Sequence, residues 1–134
     1  VLVRNAMFLR VRLASNRNVN RLGRLDQDWG FGRRRWEAAL DDFYQAHDFI
    51  RTDGDARSAA YFVIDASDEE SKHVWHVTQI VADNADDHDF QIRADVDLDA
   101  TQSEGDVVFS HFRVGFPEQL DGGQGNDDSQ ENEA

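Results

Sequence analysis

The hydrophobic period of this chain changes once, close to residue 50, and that change limits the folds open to it. Before it, apolar residues recur every three to four positions; after it, they alternate. Leu2, Ala6, Leu9 and Leu13 share one helical face, with Val3, Met7 and Val11 on the next. No Pro or Gly interrupts residues 2–22, so the spacing predicts one helix there, weakened at Asn16, Asn18 and Asn20 and ended by Gly23. Residues 23–32 (GRLDQDWGFG) read as a loop whose Trp29 and Phe31 fold back over a core. Trp36, Leu40, Phe43 and His47 predict a second helix over 33–48, and residues 51–58 are turn-rich, tightest at Asp53-Gly54. Strands are predicted over 60–66, 72–83, 89–98 and 106–116. The third is the clearest: Phe90, Ile92, Ala94, Val96 and Leu98 alternate with Asp89, Gln91, Arg93, Asp95 and Asp97, which leaves one wet face. In the second, Trp75, Val77, Gln79 and Val81 share a face; in the fourth, Val108, Phe112, Val114 and Phe116 point inward.

The connections SDEES, NADDH and DATQSEG are short and polar, so the strands are expected to form a meander. Two N-terminal helices on a curved four-stranded antiparallel meander make an α+β domain, cone-like in the manner of nuclear-transport-factor folds. The expected organisation is one domain over 1–116, helical through 1–50 and a meander over 59–116. Residues 117–134 hold six acids, no base and one sizeable apolar residue, Leu120, and are expected to be a disordered acidic tail.

Charge is distributed unevenly. Residues 1–36 carry nine arginines and two acids, for +7, while residues 37–134 carry five bases and 25 acids, for −20, giving the net −13. A basic end on an acidic body calls for a partner, or for a mate within the chain. No run approaches the roughly 20 apolar residues of a membrane span, so no membrane partner is expected. Arginines inside the first apolar stretch argue against a signal peptide, which suggests a cytoplasmic protein. Cysteine is absent, which excludes disulfides and thiol catalysis. Residue 1 is Val, which fits either a GTG start or a chain cut from something longer, and a first helix that starts without a capping residue favours the second.

Motifs for chemistry are weak. FVIDASDEES, residues 62–71, mimics an apolar strand leading into the acidic pair of a nucleotide-hydrolysis site. No GxxxxGK[ST] loop accompanies it, so ATP hydrolysis by this chain is excluded. His73 and His76 stand three apart on a strand and cannot share a metal, and Asp87-His88-Asp89 would need a distant residue to close a site. No serine lies in a G-x-S-x-G elbow. Asp95, Asp97 and Asp99 could hold a cation but read as a solvated strand face. No catalytic, cofactor-binding or metal-ligating residue is therefore expected. Arg10, Arg17, Arg21 and Arg24 fall on one helical face, and Arg33, Arg34 and Arg35 follow, with Trp29 between the clusters. Guanidinium groups meet phosphates as charged forks and an indole stacks on bases, so these eight residues are the expected nucleic-acid contacts.

Three stretches carry a family resemblance: RNAMFLRVRLASNRN, RRRWEAALDDFYQAHDFIRTDGDAR and VWHVTQIVADNADDHDFQIRADVDLDAT. They resemble the C-terminal domain of unknown function of actinobacterial DEAD/DEAH-box (superfamily-two) helicases, with Phe90 where that family usually has tryptophan. The resemblance implies a non-catalytic accessory domain of an ATP-dependent RNA helicase-like protein. It would assist the engagement of nucleic acid or of a partner, beside a motor domain in cis or in trans. It transfers no ATP-binding or metal residue and implies no cofactor. Two alternatives stay open: a small-molecule-binding or small enzyme domain on a cone-like fold, and a structural cap whose arginines dock on a neighbouring domain.

Overall fold

The computed structural model describes residues 1–122. Its elements run α1 (Leu2–Ser15), α2 (Val19–Asp26), α3 (Arg33–Ala46), β1 (Phe62–Asp65), α4 (Glu69–Lys72), β2 (Val74–Val81), β3 (Phe90–Asp97), α5 (Leu98–Glu104) and β4 (Phe109–Gly115). The four strands form one sheet in the order β1-β2-β3-β4, every pair antiparallel, as the short connections require. This is the expected α+β meander with its helices first.

The first predicted helix is two. Helix α1 stops at Asn16, and Arg17 takes a left-handed φ of 54°. The Arg17 N–H donates to the Ala14 carbonyl and the Asn18 N–H to the Leu13 carbonyl, the paired bonds that close a helix end. Asn18 then caps α2, its side chain accepting the Arg21 N–H. A non-glycine residue at positive φ is strained, and the Arg17 guanidinium offsets this by lying 3.8 Å from the Tyr44 ring centroid on α3. Residues 23–26, expected in the loop, continue α2. Gly23 is there for close approach: a Cβ at this position would lie 2.6 Å from the Arg33 backbone nitrogen, so α2 and α3 touch backbone to backbone.

Strands follow prediction with one phase error. Strand β3 buries Phe90, Ile92, Ala94 and Val96, and β2 buries Val77, Gln79 and Val81 on the same inner face. Gln79 satisfies its buried amide by donating to the Tyr61 and Ile80 carbonyls. In β4 the inward residues are Phe109 and Phe112, three apart, because His111 adopts φ 48° and the β3 register shifts between Arg93 and Asp95. This bulge moves Val108 off the core face and puts Val107 and Phe109 onto it. Two connections expected as plain turns contain α4 and α5. They end at left-handed His73 and Gly105, and Asp97 caps α5.

Ordered structure also runs past Pro117, where the tail was expected to begin. Residues 118–122 form a wide helical turn that buries Leu120, and Asp121 pairs with Arg93 at 2.6 Å. The remainder of the predicted tail lies outside the described residues.

Helices α1–α3 cover one face of the sheet. At their centre is a buried ion pair. Asp26 is fully buried; it accepts the Arg10 guanidinium at 2.6–3.2 Å and the indole N–H groups of Trp29 and Trp36 at 2.8 and 2.9 Å. Arg10 also donates to the Ala6 carbonyl at 2.9 Å and lies over the rings of Phe109 and Phe112. Replacing Asp26 by Ala leaves a buried, unpaired guanidinium and should cost about 3–5 kcal/mol in urea unfolding. A loss below roughly 1 kcal/mol would mean that the pair does not organise the core.

Candidate nucleic-acid interface

The structure divides the eight residues expected to meet nucleic acid. Arg10 is not among them: it is 4% exposed and committed to Asp26. It follows Val3 and Met7 and precedes Ala14 along the buried stripe of α1, so a basic stripe starting at residue 10 does not form. Trp29 is half-buried, its N–H goes to Asp26 and its ring meets Phe109 edge-on at 5.6 Å, which withdraws it from base stacking. It folds back with Phe31, as the loop aromatics were expected to do. Arg17 is exposed but lies over Tyr44 at the α1–α2 break.

Arg21 and Arg24 stand one turn apart on the outward face of α2, opposite the buried Leu22, Gly23 and Asp26. Arg33, Arg34 and Arg35 open α3, and the Gly23 approach sets this helix start beside α2. Arg33 donates to the Asn20 side chain at 2.8 Å and pairs with Glu37 at 3.0 Å, tying the two helices together. At about 100° per residue, Arg34 points directly away from the Trp36–Leu40–Phe43 stripe, while Arg35 turns toward the other flank. There Arg35 lines a shallow hollow with Ala38, Asp42 and Gln119. Among the described residues Arg21, Arg24, Arg34 and Arg35 make no ion pair, and all four are exposed. The surviving basic surface is therefore Arg21, Arg24, Arg33 and Arg34 across α2 and the start of α3, with Arg35 on its flank. No acid occupies the first turn of α3, so the positive helix end adds to the arginine charge.

Three further cations were not singled out. Arg12 and Arg57 lie over the Phe8 ring at 5.2 and 5.3 Å, and Arg4 lies over Phe62 at 5.8 Å. Arg4, Phe8 and Arg12 stand four apart, a spacing visible in the sequence.

The uncovered face of the sheet is polar. Register places Asp65, His76, Asp95 and Ser110 in one row, and Val63, Thr78, Arg93 and Arg113 in the next. The His76 ring bridges Asp68 at 2.6 Å and Asp95 at 2.7 Å, and Asp95 also meets His111 at 3.2 Å. Two flanking carboxylates favour the charged ring, and its hydrogen bonds to Asp68 and Asp95 raise its pKa above the ordinary 6.5. Both ring nitrogens are thus engaged by carboxylates of the chain itself. His73, on its own separate partner Asp99, is raised in the same way.

Several hollows lie between the helices and the sheet edges. One of about 310 Å³ is bounded by Leu2, Leu9, Leu25, Trp29, Val107 and Phe109, and one of about 710 Å³ by Val3, Phe62, Ile64 and Trp75. They flank the first turns of α1. His73 lines a shallow depression with Glu69, Glu70 and Asp99, whereas His76, His111 and Asp95 line none of these hollows. No helix among the described residues is long and apolar enough to cross a membrane.

Residues 1–114 match the family model described as a domain of unknown function, DUF3516, and the chain belongs to that family. No curated protein and no solved structure matches it.

Folding raises the pKa of His76, so its contribution to stability is complete below its unfolded value and is lost as pH rises through the folded one. The urea midpoint should therefore fall as pH rises past the ordinary histidine value of 6.5. In His76→Gln that slope should flatten, and an unchanged slope would assign it elsewhere.

Proposed function

We propose that this member of the DUF3516 family is a non-catalytic accessory domain that engages nucleic acid, RNA first, on behalf of an ATP-dependent helicase motor joined in cis or supplied in trans. The observation that carries the reading is the set of exposed arginines on α2 and α3 that no carboxylate of the described residues neutralises, on a chain of net charge −13. An acidic protein repels a polyanion at long range. Contact then depends on a local surface where guanidinium groups can reach successive phosphates. The motor, an actinobacterial source and a cytoplasmic location come from the resemblance and the composition, and they belong to the proposal.

This surface would read backbone rather than sequence, because the aromatic residue expected to stack on bases is occupied in the core. The small-molecule or enzyme alternative has less behind it. The helices and sheet meet across a buried hydrophobic cluster, His76, His111 and Asp95 line none of the hollows described above, and both His76 nitrogens are held by carboxylates.

Single-stranded RNA should bind at about 50 mM salt and release as salt rises, with a log–log slope near −0.7 for each phosphate contact. The variant Arg21→Ala/Arg24→Ala/Arg34→Ala alters exposed side chains and should fold normally. It should weaken binding alike on all sequences and make the salt slope shallower. No binding at low salt, or binding indifferent to salt, would end the nucleic-acid reading.

A further inference from the structure

The turn at residues 118–122 lies along one flank of α3. Arg35, Ala38, Ala39 and Asp42 follow one another on that flank at helical spacing, and Gln119 and Leu120 border the same hollow. Leu120 is buried there, and the Gln119 amide donates to the Asp42 carboxylate at 3.4 Å. Asp121 comes next and pairs with Arg93 at 2.6 Å. The described residues therefore end beside α3, on the flank that leads to Arg35 and the helix start.

Residues 123–134 lie beyond them, and their sequence is GQGNDDSQENEA. It holds four acids, Asp127, Asp128, Glu131 and Glu133, with no base and no apolar side chain larger than that of Ala134. Such a segment offers a protein surface charge and hydrogen bonds, and almost nothing to bury. Reach is sufficient. An extended chain covers about 3.3–3.6 Å per residue, so a segment of this length spans roughly 40 Å, whereas two helical turns, from Asp42 back to Arg35, take only about 10 Å.

Charge decides where the acids go. Arg21, Arg24, Arg34 and Arg35 are exposed and pair with no carboxylate among the described residues, and the Gly23 approach holds the first two beside the last two. Arg113, on the open face of the sheet, is the rival. It is a single partly buried group whose Nε is enclosed without a partner, and it stands opposite Arg93. Four exposed guanidinium groups on one surface match four carboxylates better than one does. Asp121 with Arg93 is an instance of the pair that each would make.

We propose that residues 123–134 run back along α3 and set their carboxylates on Arg21, Arg24, Arg34 and Arg35, so that the chain carries its own competitor for the polyanion surface. The competition rests on the nucleic-acid reading above; the contact does not. Exposed ion pairs are individually weak, but a partner on the same chain acts at an effective concentration of millimolar order. An RNA strand, with a phosphate at every nucleotide, displaces it by offering more contacts than the segment has acids. The segment thereby sets a threshold that a short or sparsely charged anion does not pass.

The test compares the full chain with Asp127→Asn/Asp128→Asn/Glu131→Gln/Glu133→Gln, by backbone amide shifts and by titration with single-stranded RNA, at about 50 and about 300 mM salt. Shift differences between the two chains should gather on α2 and the start of α3 at low salt and vanish at the higher. In an Arg21→Ala/Arg24→Ala/Arg34→Ala background the same four replacements should move little there. RNA should bind the neutralised chain about tenfold more tightly at low salt, the effect of a few exposed ion pairs in competition. Glu70→Gln/Glu104→Gln, which removes exposed charge from α4 and α5, should change affinity less than about twofold. Shift differences that fall only around Arg93 and Arg113, or nowhere, overturn the proposal. So does RNA bound equally by both chains, or a gain matched charge for charge by the Glu70 and Glu104 variant. Shift differences on α2 and α3 with RNA bound by neither chain uphold the contact and end the nucleic-acid reading instead.

Discussion

The helical layer is organised around one desolvated ion pair. Arg10 and Asp26 lie sixteen residues apart, and neither belongs in an apolar core on its own account. Their burial is tolerated because each nitrogen of Arg10 and each carboxylate oxygen of Asp26 has a hydrogen-bond partner. Asp26 receives a guanidinium and two indole N–H groups, and Arg10 adds a carbonyl and two aromatic faces. These partners come from α1, α2, the turn after it, α3 and β4. A pair of this kind adds little net stability compared with a hydrophobic substitute, but it penalises every arrangement that leaves one member alone. It therefore acts mainly on uniqueness: α2 cannot slide against α1, nor α3 against either, without stranding a charge.

The Arg17 turn and Gly23 serve the same end. The left-handed Arg17 redirects the chain so that α2 folds back, and Gly23 lets α2 approach α3 closely enough for Trp36 to reach Asp26. Trp29 and Phe31, delivered by the turn at Gly30, close the layer over Phe109 and Phe112. The bulge at His111 is what brings both phenylalanines inward from one strand. Regular alternation would have sent one of them to the wet face, leaving the Arg10 guanidinium with half its aromatic cover.

What could be read from the sequence divides along physical lines. Strand β3 was legible to within a residue because a two-sided sheet imposes a period of two, and nothing in residues 90–97 breaks it. The α1–α2 break was not, because Asn16 and Asn18 lower helix propensity without specifying a stop and Arg17 is an unusual residue for a left-handed position. The β4 phase was hidden for the same reason, since His111 bears no mark of a bulge. The burial of Arg10 was readable in principle: it falls on the Val3–Met7–Ala14 stripe, and charge overrode periodicity in placing it outside. Arg21, Arg24 and Arg34 needed only the wheel. The convergence of His47 on residues 83–89 needed tertiary structure, because contacts across some forty positions leave no local pattern.

Folding alone does not account for the remaining arginines. Three in succession at the start of α3 place like charges side by side at the positive end of a helix, with no acid in that turn to offset them. Arg33 finds Asn20 and Glu37, yet among the described residues Arg34 and Arg35 pair with no carboxylate. The acids are elsewhere: Asp53, Asp55, Asp83, Asp86, Asp87 and Asp89 gather at the far end of α3, around Arg51 and His47. The long helix thus separates a basic surface at its beginning from an acidic one at its end, a separation that costs electrostatic energy within the fold. An external anion bound at the basic end would recover part of that cost.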